Sequence, residues 1–270
     1  MTGSLVLGWD RTMLELKMYS REKEAVFFSF LFPVLMLTLF SVIFGSSITG
    51  DPSDASDHVN AARLFLPGMI SAGVLLTSFQ TMAMSVATER DDGTLKRLRS
   101  TPMPPAAYFL GKVGLVASTS LAQMVLLLLV ARLAFGVELP TAATAWLTFL
   151  EVFVLGVFGG VVLGIAYSSV ASARSVTAVV VGPMLILQFI SGVYFQFSQI
   201  PSWLQQVASL FPLKWIAQGM RSVFYPDSWQ TLEMAGRWEV GRTALVLAAW
   251  AVLGLFLCVR TFRWFKRGTT

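Results

Sequence analysis

Long uncharged stretches of apolar residues, separated by short polar segments, dominate the chain. No charged residue occurs between Glu24 and Asp51, or between Arg63 and Glu89. A helix needs roughly 20 apolar residues to cross the hydrocarbon core of a bilayer, and four further stretches also approach or exceed that length. We therefore predict an all-α membrane protein with six spans, at about 25–48, 65–88, 111–135, 143–168, 176–197 and 242–262.

The segment before the first span, residues 4–24, is too polar to cross a membrane. On a helix, its large apolar side chains lie on one side and several of its charged side chains on the other. The apolar set is Leu5, Trp9, Met13 and Leu16, and the charged set includes Arg11, Glu15 and Glu22. The pattern predicts an amphipathic helix in the membrane interface. Such a helix either only anchors the first span or also contacts a cytoplasmic partner.

A polar insert, "ERDDGTLKRLRSTPMPP" at 89–105, follows the second span. Asp92-Gly93 is a break signal, and Thr101-Pro102 ends any helix because the residue before proline avoids helical geometry. Between them we predict a short helix with an apolar edge, Leu95 and Leu98, on a basic surface. It either reconnects two spans or docks into a groove of another protein.

A second polar region, at about 198–225, precedes the last span. Two short amphipathic pieces lie on either side of Pro212, with Trp203 in the first and Trp215 in the second. Tryptophan is typical of membrane boundaries. The pattern predicts short outer helices that either lie at the interface or re-enter the outer leaflet.

Composition supports the membrane assignment, and charge placement predicts the orientation. The chain is 55% hydrophobic and 13% charged, whereas soluble domains carry about 25% charged residues. Lys and Arg cluster in the N-terminal segment, in the 89–105 insert, at Arg174 and in the tail, which includes Arg263, Lys266 and Arg267. The positive-inside rule then places both termini and the insert in the cytoplasm. The outer loop 198–241, with three basic residues, is an exception. We predict a single membrane domain, residues 1–270.

The sequence offers little for catalysis. With one cysteine, Cys258, and one histidine, His58, it provides neither an internal disulfide nor a metal cluster. A phosphate-binding loop requires G-x-x-x-x-G-K-[ST], and the nearest segment, Gly3 to Asp10, lacks the Lys and the Ser/Thr. An "LSGGQ"-like segment is also lacking. We therefore expect a non-enzymatic chain with no catalytic or metal site and no nucleic-acid partner.

Two features lie inside the predicted spans. Gly156, Gly160 and Gly164 recur every four residues, a spacing that lets helices approach closely, either within the chain or between two copies. Glu151 is an intramembrane acid, and such residues usually face a bundle interior or a water-filled cavity. Arg132 is its nearest predicted partner, and a structural contact and a transport role both remain open.

The stretch "ERDDGTLKRLRSTPMPPAAYFLGK" resembles the cytoplasmic loop of type-2 ABC exporter permeases, the group with daunorubicin-resistance and nodulation-factor export proteins. The matching positions are Glu89, Gly93, Thr94, Leu95, Leu98, Thr101, Pro102, Gly111 and Lys112. The resemblance extends over the whole chain, including "IPSWLQQVASLFPLKWIAQGMRSVFY" before the last span.

The resemblance implies a permease subunit powered by a separate ATPase. It assigns ATPase coupling to the short helix and its flanks, namely Glu89, Gly93, Thr94, Leu95, Leu98, Thr101 and Pro102. ATP and Mg²⁺ would be bound by that partner, and a second permease copy or a homologous permease would complete a dimer. The complex would lie in the bacterial plasma membrane.

The same resemblance implies that spans two and five line a substrate path. Flexible methionine side chains and aromatic side chains, with a few amide groups, suit a path for hydrophobic molecules. The candidates are Thr77, Gln80, Met84, Met184, Gln188 and Phe189. The implied cargo is a drug, antibiotic or lipid, and polysaccharide or glycolipid export is the alternative within the family.

Two other classes fit less well. An ion-driven secondary transporter would carry acids in several spans, whereas only Glu151 lies well inside one. An intramembrane enzyme would need a His, Asp or Cys constellation. Neither His58 nor Cys258 has evident partners for it in the sequence.

Overall fold

The fold is taken from a computed structural model that describes residues 2–45, 60–170, 172 and 174–262. The side chains of residues 2–4 are not described either. The predicted end of the first span at 46–48, the acidic segment with His58, and the tail with Arg263, Lys266 and Arg267 lie outside these ranges. Within them, every regular element is a helix, as the sequence predicts.

Ten α-helices make up the described chain. They are α1 (Thr2–Tyr19), α2 (Lys23–Phe44), α3 (Ala61–Asp91), α4 (Thr94–Arg99), α5 (Pro105–Phe135), α6 (Ala143–Ser168), α7 (Val176–Ile190), α8 (Ser202–Ala208), α9 (Pro212–Phe224) and α10 (Val240–Thr261). Short 3₁₀ turns add Phe197–Gln199 and Asp227–Leu232. Five of the helices, α2, α3, α5, α6 and α10, are long and apolar enough to cross a membrane.

The predicted fifth span is wrong at its C-terminal end. Helix α7 ends at Ile190 instead of near residue 197 and has only 15 residues. At 1.5 Å per residue it is about 22 Å long, which is less than the roughly 30 Å of a hydrocarbon core. Gly192 then adopts a positive φ of 75°, a conformation that favours glycine and turns the chain away. The six-span layout therefore stays a prediction.

Helices α3 and α6 form the centre of the bundle. In the most apolar part of α3, 78% of the residues are buried, whereas the value for the peripheral α10 is 28%. Glycines on α6 allow the close approach, because a Cβ on Gly160 would lie 2.0 Å from Ser78 Oγ, and one on Gly164 would lie 2.5 Å from the carbonyl oxygen of Phe79. The predicted glycine row is thus in contact with α3 of the same chain.

A π-helical turn, Leu76–Gln80, interrupts α3 at the level of this contact. The Thr81 hydroxyl donates to the carbonyl of Leu76, five residues back, over 3.1 Å. A π turn inserts one extra residue, so the side chains beyond it face a different direction. Two candidate path residues, Thr77 and Gln80, lie within this turn.

The bundle has two distinct ends. At one end, the start of α3 is fixed to α9, since Arg63 Nε donates to the Phe224 carbonyl over 2.6 Å and the Tyr225 hydroxyl donates to the Leu64 carbonyl over 2.5 Å. At the other end, α3 terminates at Asp91 beside α1, α4 and the first turns of α5. We call these the α9 end and the α1 end.

Candidate functional site

Helix α4 is a single short helix at the α1 end, defined by its capping residues. Gly93 has a φ of 79°, in the left-handed region, and starts the turn away from α3. The Asp92 carboxylate accepts a hydrogen bond from the Thr94 amide over 2.8 Å. At the other end, the Thr101 hydroxyl donates to the Leu98 carbonyl over 2.6 Å, and Pro102 follows. These contacts define the two ends of α4.

The two leucines of α4 are directed towards the protein. Leu95 is completely buried in the core of this chain, and Leu98 packs against that core while partly exposed. Lys96 and Arg97 are exposed. The predicted apolar edge therefore anchors α4 to its own subunit, and the surface that α4 presents is mainly basic.

A buried lysine lies next to this loop. Lys112, one of the residues that carry the family resemblance, is fully buried on the second turn of α5. Its Nζ atom donates to Glu15 Oε2 at 2.9 Å, to Ser85 Oγ at 2.8 Å and to Glu89 Oε1 at 2.5 Å. All three hydrogens of the ammonium group thus have an acceptor, on α1 and on α3.

Two more side chains extend this contact into a network. The Tyr108 hydroxyl donates to Glu89 Oε2 over 2.8 Å, and Arg11 pairs with Glu15 one turn along α1. The "Lys112 network" is therefore Arg11, Glu15, Ser85, Glu89, Tyr108 and Lys112. Its two cations and two anions cancel, which satisfies the requirement that buried charges be paired.

Small residues allow α1 to lie directly on α5. A Cβ on Gly111 would come within 2.3 Å of Arg11 Cγ, and one on Gly114 would come within 2.3 Å of Thr12 Oγ1. The polar side of the predicted amphipathic helix, with Arg11 and Glu15, is thus partly buried against α5. From the sequence, Glu15 was placed only on the charged side of the amphipathic helix, and Lys112 was assigned no partner. The two glycines of the G-x-x-G at 111–114, next to a lysine at the start of a span, are the sequence feature that could have indicated a closely packed helix here.

The end of α3 is also tied to α6. Arg90 Nη2 donates to the carbonyl of Ser168, the last residue of α6, over 2.7 Å. Together with the Lys112 network, this contact joins four helices (α1, α3, α5 and α6) around the base of α4.

The candidate path residues do not form one lining within the described chain. Thr77 is buried and shares a 2.6 Å hydrogen bond with Ser120 of α5. Gln188 is buried and accepts a 2.6 Å hydrogen bond from the Tyr194 hydroxyl. Gln80 is partly buried. Met84 and Met184 belong to one apolar cluster between α3 and α7. Phe189 borders a separate cavity at the α9 end.

Glu151 does not face the interior of the bundle, because its side chain is exposed on the outer surface of α6. Arg132 is exposed too, and its Nη1 atom donates to the Val137 carbonyl over 3.4 Å. Among the described residues, no ion pair joins the two side chains. The pairing considered from the sequence is therefore not formed.

Metal-ligating residues are also scattered in the described part of the chain, where no three His, Cys, Asp or Glu side chains come together. The site at the α1 end offers paired charges and a mechanical connection between helices. The Lys112 network is buried and has no net charge, whereas the neighbouring helix α4 exposes basic side chains.

Comparison with known proteins gives two concordant results. Residues 9–225 match the family model described as "ABC-2 type transporter". The chain is 22% identical over 192 residues to "Inner membrane transport permease YadH" of Escherichia coli K12, covering 71% of this chain and 73% of the relative, and it matches the same permease of Shigella flexneri to the same extent. The residues matched by the family model include α4 and the Lys112 network. The chain thus belongs to the ABC-2 type transporter family and is a membrane subunit of an ABC transporter.

Proposed function

We propose that this chain is the permease of an exporter for hydrophobic or amphipathic molecules such as drugs, antibiotics or lipids. In this proposal α1 and α4 lie on the cytoplasmic side, both termini face the cytoplasm, and two permease subunits work with two ABC ATPase subunits. The ATPases bind ATP and Mg²⁺, and this chain performs no chemistry itself. The family supports an ABC ATPase partner in general.

The observation that carries the proposal is the connection between α4 and the Lys112 network. Helix α4 is joined to α3 through Asp92 and Gly93 and is anchored by the buried Leu95. Glu89, one turn earlier on α3, is held by Lys112 of α5, which also binds Glu15 of α1. A displacement of α4 by an ATPase would therefore move α1, α3 and α5 as one unit.

The exposed surface of α4 predicts how the ATPase is recognised. Lys96 and Arg97 are presented to solvent, so the complementary ATPase surface should be acidic. Charge complementarity at an interface raises the association rate and excludes wrong partners. Leu95 is unsuitable for testing docking, because its replacement would disturb the packing of α4 in its own subunit.

The test uses the purified permease in nanodiscs and the ABC ATPase subunits encoded in its own genome. We expect the double variant Lys96→Glu/Arg97→Glu to weaken binding of the cognate ATPase by about tenfold or more. The matched control is Arg237→Glu, which reverses an exposed charge in the loop before α10, and should bind as the wild type does. Equal affinity for all three forms, with normal insertion, would refute docking at α4.

Transport is tested in the same nanodiscs once a cognate ATPase is bound. Candidate amphiphiles should stimulate ATP hydrolysis by the complex, and reconstituted vesicles should accumulate or lose them only with ATP. If an ion gradient drove the movement without ATP, the exporter assignment would be wrong.

A further inference from the structure

The π turn of α3 lies between two parts of that helix which are held by different neighbours. The upper part is held at the α9 end, where Arg63 bonds the end of α9 and a Cβ on Gly68 would lie 2.1 Å from a carbonyl oxygen of the segment after α7. The lower part is held at the α1 end, where Glu89 bonds Lys112. The turn, Leu76–Gln80, therefore separates the part of α3 joined to α9 from the part joined to α4.

The local sequence does not force this π turn. A second π turn, Phe27–Leu31, occurs in α2 and is followed by Pro33, which has no N–H and so disturbs the hydrogen bonds of the turn before it. In α3 the nearest proline is Pro67, more than two helical turns before Leu76 and within the upper part. Contacts with other helices therefore hold the π turn of α3.

Two kinds of contact hold the turn. On α6, a Cβ on Gly160 would lie 3.3 Å from the Phe79 amide nitrogen, and one on Gly164 would lie 2.5 Å from the Phe79 carbonyl oxygen. The backbone of the turn thus rests on α6 without interlocking side chains. Within α3, the amide and the hydroxyl of Thr81 both donate to the carbonyl of Leu76 and close the turn.

Two amide groups beside the turn have unused hydrogen-bonding capacity. Gln80 Oε1 and Gln123 Nε2 are buried and have no partner among the described residues. Gln123, on α5, lies against the backbone of α3, since a Cβ on Gly73 would lie 1.8 Å from its Nε2 atom. In membrane proteins, side chains and neighbouring helices satisfy the backbone groups that an interrupted helix releases. These two amides supply such partners when the hydrogen bonds of the turn change.

We propose that α3 bends at the Leu76–Gln80 π turn when α4 is displaced, and that Thr81 is the positioning residue of this hinge. Helix kinks of more than about 20° occur at few features, and π turns are one of them. A bend of this size moves Thr88, about ten residues below the turn, by about 5 Å. Glu89 and the Lys112 network move with it, while the upper part of α3 stays with α9.

The contact of Arg90 with the Ser168 carbonyl, at the end of α6, opposes the bend. That end of α6 must follow the lower part of α3 or release it. The displacement of α4 by an ATPase rests on the proposed function, whereas the position of the hinge rests on the structure of α3.

The first experiment deletes single residues from α3. Without Gln80, the Thr81 amide is the fourth after Leu76 and bonds it as in a regular α-helix, so both parts keep their orientation. Deletion of Ala83 instead rotates Glu89 by about 100° away from Lys112. We expect the Gln80 deletion to unfold at the same fraction of sodium dodecyl sulfate as Gln80→Ala, and the Ala83 deletion at a clearly lower one.

The second experiment measures the bend by double electron–electron resonance in nanodiscs that contain the cognate ATPase. Cys258 is replaced by alanine, and spin labels are placed at Thr88 and at either Ser202 or Arg237, which are exposed positions. Two upper positions are used so that a bend in any direction changes at least one distance. We expect a change of about 3–5 Å between the nucleotide-free and the ATP–vanadate states. Deletion of Gln80 should at least halve it, compared with Gln80→Ala, which keeps the extra residue.

The third experiment tests Thr81 with the same labels in the permease alone. Thr81→Val removes the hydroxyl that bonds Leu76, and Thr81→Ser keeps it. We expect a broader distance distribution in the valine variant and a distribution like that of wild type in the serine variant. A purely structural role of Thr81 would lower the stability of the valine variant without broadening the distribution.

The proposal is overturned if both deletions destabilise the protein alike, or if the wild type binds its ATPase and shows no change in either distance. It is also overturned if the Gln80 deletion changes as much as Gln80→Ala, or if the valine and serine variants of Thr81 have the same distribution. Failure of the ATPase to bind would count against docking at α4 alone, because the first and third experiments need only the permease and still decide on the hinge.

Discussion

Both ends of α3 lie beside a buried ion pair. The polar atoms of the two pairs differ in how completely they are hydrogen-bonded. At the α1 end, Lys112 uses all three ammonium hydrogens on Glu15, Ser85 and Glu89. At the α9 end, Arg221 and Glu233 bond each other while each keeps a polar atom without a partner among the described residues.

This difference separates a network that connects several helices from an ion pair that keeps unsatisfied buried atoms. A satisfied network fixes helices relative to one another, and any change in it should be costly. Unsatisfied buried atoms instead carry a desolvation cost, about 1–3 kcal/mol for each group. Arg11 Nε, which has no partner among the described residues, is the exception at the α1 end.

The largest effect is expected for Lys112→Met. The substitution removes the cation that bonds both Glu15 and Glu89, and of the ion pairs in the network only Arg11–Glu15 is left. Removing one member of a buried ion pair typically costs about 3–5 kcal/mol. We expect a loss of this size in the free energy of unfolding, measured by titrating the permease in mixed micelles with sodium dodecyl sulfate.

The matched control adds Glu89→Gln to Lys112→Met. The double variant removes one charge of each sign, while Glu15 keeps its pair with Arg11. It should recover a substantial part of the lost stability. If Lys112→Met lowers the free energy of unfolding by less than about 1 kcal/mol, the network is exposed to solvent in the membrane-bound protein.

Tyr108→Phe should have the next largest effect. It deletes the hydroxyl that donates to Glu89 over 2.8 Å and leaves the ring in place. Hydrogen bonds to charged groups contribute about 1.5–3 kcal/mol, so we expect a loss in that range by the same titration. An unchanged free energy of unfolding would show that the Tyr108 hydroxyl does not stabilise the network.

The sequence predicts the class of fold well because that class depends on composition and length. Long stretches with few or no charges identify α2, α3, α5, α6 and α10, and the largest difference is at the start of α5, at Pro105 instead of 111. The predicted end of α7 is wrong, because the sequence stays apolar to Phe197 while the backbone turns at Ser191 and Gly192. A glycine that ends a helix in an apolar stretch leaves no hydropathy signal.

The site is less predictable because it depends on contacts between distant residues. The break at Asp92-Gly93 and the stop at Thr101-Pro102 are local, and α4 lies between them. The contacts of Lys112 with Glu15 and Glu89 span 97 and 23 positions. A single sequence gives no information on such pairs. The same holds for Arg221 and Glu233, which lie on separate segments.

A smaller effect is expected from Lys214, near the Arg221–Glu233 pair at the α9 end. Burial lowers the pKa of Lys214 to about 8, with Arg221 and Arg242 adding to the decrease and Glu233 and Glu239 opposing it. Between that value and the ordinary 10.5, the unfolded chain binds more protons than the folded one, so stability rises with pH. We expect the wild type to gain about 2 kcal/mol relative to Lys214→Met from pH 7.5 to 10. Parallel pH profiles of the two proteins would show that Lys214 does not titrate in this range.

The smallest effect, and the sharpest contrast with Tyr108→Phe, is expected for Trp238→Phe. Both substitutions remove one buried polar hydrogen and keep an aromatic ring, but Trp238 Nε1 has no partner among the described residues. Deleting an unsatisfied donor removes a desolvation cost, and this offsets the smaller ring's loss of packing. The variant permease should therefore unfold within about 1 kcal/mol of wild type. A loss as large as that of Tyr108→Phe would show that the indole N–H is bonded within the protein.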